Sequence, residues 1–158
     1  MIKEGNTAID FELENQNGKK VKLSDFTNKI VVLYFYPKDL SSGCTKEART
    51  FRDNYEKIKE LNGVILGISG NKKETHKKFI EKEGLPFDLL IDPNFIVSTL
   101  YNAYKEKSMY GRKYMGIERS TFLIDKDGII KKVWRNVKVE GHVEEVIMAI
   151  EELSKIHL

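Results

Sequence analysis

The chain has 158 residues, 41% of them hydrophobic and 32% charged, which suits a single domain over residues 1–158 with a core of its own. Its 27 lysines and arginines against 24 acidic residues leave a formal charge of +3, set out as short pairs such as Lys72-Lys73 and Lys131-Lys132 rather than as a basic tract, so no nucleic-acid partner is expected. The single cysteine excludes an internal disulfide framework, a CxxC redox pair and a thiolate zinc site, and it fits a reducing cytosol.

Met1 to Gly5 has no apolar core like that of a signal peptide, and no later apolar stretch is long enough to span a membrane, so a cytoplasmic protein without membrane contact is expected. Residues 9–14 alternate apolar and polar, Asn15-Gln16-Asn17-Gly18 is a turn, and Val21-Lys22-Leu23 alternates again, which predicts a small hairpin. Ser24-Asp25-Phe26 starts a single helical turn. Ile30 to Tyr36 is continuously apolar and rich in β-branched and aromatic residues, the pattern of a strand buried on both faces. After Pro37 and a short polar loop, Ala48, Phe51, Tyr55 and Ile58 recur at steps of three and four, predicting a helix over 43–60 that ends near Asn62-Gly63. Val64 to Ile68 is a second buried strand, and strand, helix, strand at these lengths is a βαβ unit with parallel strands.

A Lys/Glu-rich helix over 72–83 follows, with Phe79 and Ile80 as its apolar contacts, then a break at Leu85-Pro86-Phe87 and a short strand at Leu89-Leu90-Ile91. A helix is expected from Phe95 to Tyr101. Residues 104–118, polar and aromatic with Gly111 and Gly116, read as an irregular loop. Arg119 to Asp125 is a strand, Lys126-Asp127-Gly128 a hairpin turn and Ile129 to Val137 the partner strand. Gly141 to Leu153 closes as an amphipathic helix through Val143, Val146, Ile147 and Ile150. A βαβ unit followed by ββα is the order of an α/β thioredoxin fold: a mixed central sheet flanked by helices, here with an N-terminal β-hairpin extension.

Cys44 falls in the first turn of the predicted 43–60 helix, where unpaired N–H groups and the positive end of the dipole favour a negative charge such as a thiolate. The competing reading is a small buried hydrophobe. His76, His142 and His157 show no ligand spacing with one another or with a carboxylate motif, so no metal is expected.

The residues around Cys44 resemble a known family. Pro37-x-x-x-Ser41-x-x-Cys44 is similar to the Pro-x-x-x-Thr/Ser-x-x-Cys motif of the peroxiredoxins, in the AhpC/TSA superfamily. Phe35-Tyr36-Pro37-Lys38-Asp39, Gly43 to Ala48 and Phe51-Arg52-Asp53 resemble its PrxQ or bacterioferritin-comigratory-protein branch. Gly67-Ile68-Ser69, Leu90-Ile91-Asp92 and the arginine-bearing block from Gly116 to Asp125 follow in order, so the resemblance runs from about residue 3 to residue 153. It implies a thiol-dependent peroxidase acting on hydrogen peroxide and small organic hydroperoxides, without a cofactor. Cys44 would be the peroxidatic cysteine, oxidised to sulfenic acid. Arg119 would hold the thiolate and face the breaking O–O bond. Ser41 would orient the peroxide through a hydroxyl that donates and accepts, and Pro37 would keep water off the thiolate. The backbone N–H groups of Gly43 and Cys44 would take the second oxygen, and Glu47 would help orient the arginine. Taken singly, Arg119 is a surface strand residue, Ser41 an N-cap, Pro37 a strand stop and Glu47 a complement to the helix dipole.

Two departures stand out. Many members of this branch carry a resolving cysteine five residues after the first, where this chain has Arg49, so an outside thiol is expected as reductant: thioredoxin, glutaredoxin or a small thiol. The usual Thr-Pro-Gly-Cys reads Ser41-Ser42-Gly43-Cys44, which keeps the hydroxyl but loosens the loop. The branch is usually monomeric, and a monomer is expected. A redox sensor built on the same cysteine, and a thioredoxin-like binding domain with an inert thiol, are the alternatives; a thiol–disulfide oxidoreductase is disfavoured without CxxC.

Overall fold

The computed structural model describes residues 1–156; His157, considered above as a ligand, lies outside them. Its centre is β3 (Ile30–Phe35), buried along its whole length. Successive side chains of a strand point to opposite faces. Ile30, Val32 and Tyr34 therefore enter one core, and Val31, Leu33 and Phe35 the other. That two-sided burial is why the stretch is apolar without alternation.

The N-terminal hairpin is β1 (Glu12–Glu14) with β2 (Lys20–Lys22), shorter than the sequence pattern, followed by a 3-10 turn at Leu23–Phe26. After β3 come α1 (Ser42–Asp53), α2 (Tyr55–Glu60), β4 (Gly63–Ser69), α3 (Lys73–Glu83) and β5 (Asp88–Ile91). The single helix expected over 43–60 is thus two, broken at Asn54, where the backbone leaves helical geometry (φ −110°, ψ 9°). A 3-10 turn at Pro93–Phe95 leads into α4 (Ile96–Leu100).

The segment expected to be an irregular loop is instead a hairpin, β6 (Tyr104–Met109) and β7 (Arg112–Ile117), joined at Tyr110-Gly111. Both turn residues have positive φ (52° and 78°), as the two-residue turn that matches strand twist requires. Period-two alternation is missing from its sequence because neither face enters the core; only Ile117 is buried. The chain ends with β8 (Ser120–Ile124), β9 (Ile130–Trp134) and α5 (His142–Ile156).

Seven strands form one mixed sheet in the order β2-β1-β5-β4-β3-β8-β9, with β6-β7 as a separate pair. β3 runs parallel to β4 and antiparallel to β8, as a βαβ–ββα order demands. Phe51 of α1, Ile58 of α2, Phe79 of α3 and Val146 and Ile150 of α5 cover one face. Leu13, Val97, Tyr101 and the N-terminal segment cover the other. Each such fully buried apolar side chain stabilises the fold by about 1.5–3 kcal/mol. The fold class is the thioredoxin-like one expected. No helix among the described residues is long and apolar enough to cross a membrane.

Candidate active site around Cys44

β3 delivers the chain to the site and α1 displays it. Pro37 stands half-buried two residues past β3, at the start of the loop that carries Ser41. Ser41 is extended (φ −69°, ψ 155°) and caps α1; its Oγ accepts from the Cys44 amide at 3.4 Å and donates to the Lys38 carbonyl at 3.0 Å. The hydroxyl expected to orient a peroxide is therefore also the helix cap, and the Cys44 amide points to it. The cap bond is long, and so is easily exchanged for a better partner.

The Cys44 side chain is buried at 1% exposure. Arg119, between β7 and β8, brings Nη2 to 3.5 Å from Cys44 Sγ, while its Nη1 donates to Glu47 Oε1 at 2.7 Å. Glu47 lies three residues beyond Cys44 on α1, so both project from one face of the helix towards the same guanidinium. A Cβ on Gly43 would come within 3.2 Å of Arg119 Nη2, so glycine keeps room for the arginine there.

Burial drives the electrostatics. It pushes the Glu47 carboxyl up to about 7, against the pull of Arg119, which raises the group's affinity for a proton near neutrality. Burial also works against the charge on Arg119, but Glu47 and Cys44 outweigh it and hold the guanidinium above its usual range. The second Glu47 oxygen, Oε2, and the hydroxyl of the buried Tyr34 have no hydrogen-bond partner among the described residues. Burial, followed by the nearby Glu47, Cys44 and Asp39, raises the Tyr34 phenol well above its ordinary value, so it remains a neutral hydroxyl.

Arg49, at the position where the branch often carries a second cysteine, turns to α3 instead. Its Nη2 donates to the buried carboxylate of Glu83 at 3.3 Å, and Arg52 Nη1 donates to the Glu83 carbonyl at 2.7 Å. Arg52 also pairs with Asp53 at 3.0 Å. Both arginines tie α1 to α3 and take no part in the cluster at Cys44.

Sequence reasoning missed three polar groups. Asp39, in the loop before the cysteine, receives the Tyr36 hydroxyl at 2.6 Å, and its other oxygen lies 2.6 Å from His76 Nδ1. His76 Nε2 faces the Leu90 carbonyl at 2.9 Å. A carbonyl only accepts, so Nε2 carries a hydrogen and one proton lies between Nδ1 and Asp39. This pins the loop before Cys44 to α3 and β5. His142 Nε2 lies 2.8 Å from Thr121 Oγ1, with its ring edge-on to Trp134 and Phe51. Burial, and secondly Arg119, lower its pKa to about 4, so it is neutral at pH 7. A signal was present. His76 shares the buried stripe of α3 with Phe79 and Glu83, and His142 stands four residues before Val146 on that of α5, so each is a polar residue on an apolar helix face.

A thiol at a helix N-terminus on a thioredoxin-like sheet, bridged by one arginine to a buried carboxyl, matches a family. The AhpC/TSA family model matches residues 5–133, and the chain belongs to that family. Within it the chain falls among the peroxiredoxins of the Bcp/PrxQ branch, a class of thiol peroxidases. It is 49% identical over 154 residues to the peroxiredoxin Bcp of Bacillus subtilis, covering 98% of each chain. The crystal structure of a cysteine variant of Xylella fastidiosa PrxQ superposes with a TM-score of 0.92 at 35% identity, covering 98% of each chain. Xanthomonas campestris bacterioferritin comigratory protein, described for its alkyl peroxide reduction, matches at 0.87 and 34% identity, over 91% of this chain and 92% of that one.

Proposed function

We propose that the chain reduces hydrogen peroxide and small organic hydroperoxides through Cys44 alone, and that an external thiol returns the oxidised cysteine to its reduced state. In the first step the Cys44 thiolate attacks one peroxide oxygen. An S–O bond forms, the O–O bond breaks, and water or an alcohol leaves after taking a proton, so Cys44 becomes a sulfenic acid. Arg119 Nη2 faces both the thiolate and the charge that develops on the leaving oxygen. Ser41 exchanges its bond to the Lys38 carbonyl for one to the peroxide, Pro37 keeps bulk water off the thiolate, and glycine at 43 leaves room for the guanidinium. Glu47 is a positioning residue that holds the guanidinium by its other arm. The thiolate supplies the reactivity, so the reaction needs no cofactor.

With one cysteine in the chain, resolution falls to a thiol from outside. The observation that carries this reading is the double contact of Arg119, 3.5 Å to Cys44 Sγ and 2.7 Å to Glu47. The likeness to the Xanthomonas protein, whose alkyl peroxide reduction is described, supports organic hydroperoxides as substrates.

The test is stopped-flow oxidation of the reduced protein by hydrogen peroxide, with the product identified by mass. Fast addition of one oxygen at Cys44 is expected. Cys44→Ser should abolish it, and Arg119→Ala should slow it by about 100-fold or more, the usual cost of losing a charge that stabilises a transition state, while circular dichroism stays unchanged. Wild-type rates in either variant overturn the site. Slow oxidation of the wild type would leave a redox sensor as the better description.

A further inference from the structure

Ten large hydrophobic side chains are exposed among the described residues, and four of them, Met109, Tyr110, Tyr114 and Met115, are on the β6–β7 hairpin, with Tyr110 at its tip exposed in full. The same hairpin concentrates the charge. Lys105, Lys107, Arg112 and Lys113 against Glu106 leave residues 104–117 at +3.

The hairpin is fixed at its base only. Phe95 stacks on Tyr104 with centroids 4.4 Å apart, and Lys105 pairs with Glu118 at 3.6 Å. An isolated two-stranded hairpin is marginal in water, and one that holds an aromatic tip clear of the core gains nothing for the fold from doing so. Its six-residue strands reach roughly 20 Å at about 3.3 Å per residue. Its second strand ends at Ile117, two residues before the arginine that touches Cys44. The base of the hairpin thus runs directly into the strand end that carries the arginine at Cys44.

We infer that the β6–β7 hairpin is the docking surface for the reductant of Cys44, and that this reductant is a dithiol protein presenting apolar contacts inside an acidic rim. The inference rests on the peroxidase reading above. A small thiol would need no such surface. A second copy of this chain is disfavoured as occupant, because two hairpins of +3 repel, whereas an acidic partner is attracted and steered. The chemistry balances with the partner's two thiols. The first attacks Sγ of the Cys44 sulfenic acid; an S–S bond forms, the S–O bond breaks, and hydroxide takes a proton and leaves as water. The partner's second thiol then attacks its own sulfur, forming a disulfide in the partner and releasing Cys44 as a thiol. Cys44 is reduced and the two partner thiols are oxidised.

The experiment compares turnover driven by thioredoxin, recycled by its reductase and NADPH, with turnover driven by dithiothreitol. Two sets of variants are used, the charge reversals Arg112→Glu with Lys113→Glu, and the apolar removals Tyr110→Asn with Met115→Ser. Each set should raise the KM for thioredoxin at least tenfold, with dithiothreitol-driven turnover and the rate of Cys44 oxidation within twofold of wild type. The wild-type KM should rise with salt, and the charge reversals should flatten that dependence. An unchanged KM in both sets overturns the docking role, as does a wild type that turns over with dithiothreitol but not with thioredoxin. A wild type that sediments as a dimer while the apolar variants are monomers would make the hairpin an interface between copies, which also overturns it. Failure of the wild type to react with peroxide is a different result, and it removes the peroxidase reading itself.

Discussion

At the scale of single residues the site turns on one guanidinium serving two groups. Because Arg119 is held by Glu47 at 2.7 Å, it cannot swing freely to follow Cys44, and small displacements of it matter. Gly43→Ala places a Cβ 3.2 Å from Nη2, so the arginine must give way by a few tenths of an ångström. We expect peroxide oxidation of Cys44 to slow by roughly tenfold, in line with the cost of misplacing a catalytic group, with an unchanged unfolding midpoint in urea. A wild-type rate would show that the guanidinium has slack at this position. The grouping of Cys44, Ser41, Gly43, Glu47 and Arg119 was legible through the resemblance to the peroxiredoxin motifs, since nothing in the residues alone brings Arg119 to a cysteine 75 positions away. Asp39 was not, because it lies in a loop that has no period, and His76 and His142, though each interrupts an apolar helix face, showed no role until their partners were seen. For His76 that partner is 37 residues away.

At the scale of elements the legible parts are those where burial imposes a pattern. β3 was evident because both its faces are covered, and β4 for the same reason. The break between α1 and α2 was hidden because Ala48, Phe51, Tyr55 and Ile58 keep the helical period across it. There the Asn54 side chain bonds back to the Thr50 carbonyl at 2.8 Å and the backbone turns without disturbing the apolar face. The β6–β7 hairpin escaped for the opposite reason: without a buried face it has no period to read. The start of α1 offers a test of local backbone chemistry. Ser42 is its first residue, where proline is favoured because the amide has no partner one turn back. Ser41 before it already has the extended conformation that a following proline requires (φ −69°, ψ 155°). Ser42→Pro should therefore stabilise the protein by about 0.4–1 kcal/mol, chiefly by restricting the unfolded chain. The urea midpoint checks this, and a lower midpoint would mean that the loop needs the freedom serine leaves it.

At the scale of the whole molecule, two buried groups that feel the charge of Arg119 shift how stability responds to pH, and they act in opposite senses. Glu47 titrates at about 7 in the fold against 4.5 in the unfolded chain. Between those values the folded state holds more protons, so this group's contribution to stability is present below pH 4.5 and is lost as pH rises through 7. His142 titrates at about 4 in the fold against 6.5 unfolded. Between those values the unfolded state holds more protons, so its contribution rises with pH and is lost as the pH falls from 6.5 to 4. The windows overlap from 4.5 to 6.5, where the two slopes largely cancel. Removing one group exposes the other. Relative to wild type, Glu47→Gln should lose stability steadily as pH falls from 7 to 4.5, and His142→Gln should gain it from 6.5 to 4. Each trend amounts to about 2–3 kcal/mol at about 1.4 kcal/mol per shifted unit. Urea unfolding at half-unit intervals measures both, and taking differences from wild type removes the other carboxylates. Flat difference curves would mean that neither group changes its proton affinity on folding. The double variant should not equal the sum of the two, because Arg119 contacts Glu47 directly and also lowers the pKa of His142, so removing one partner changes the field at the other.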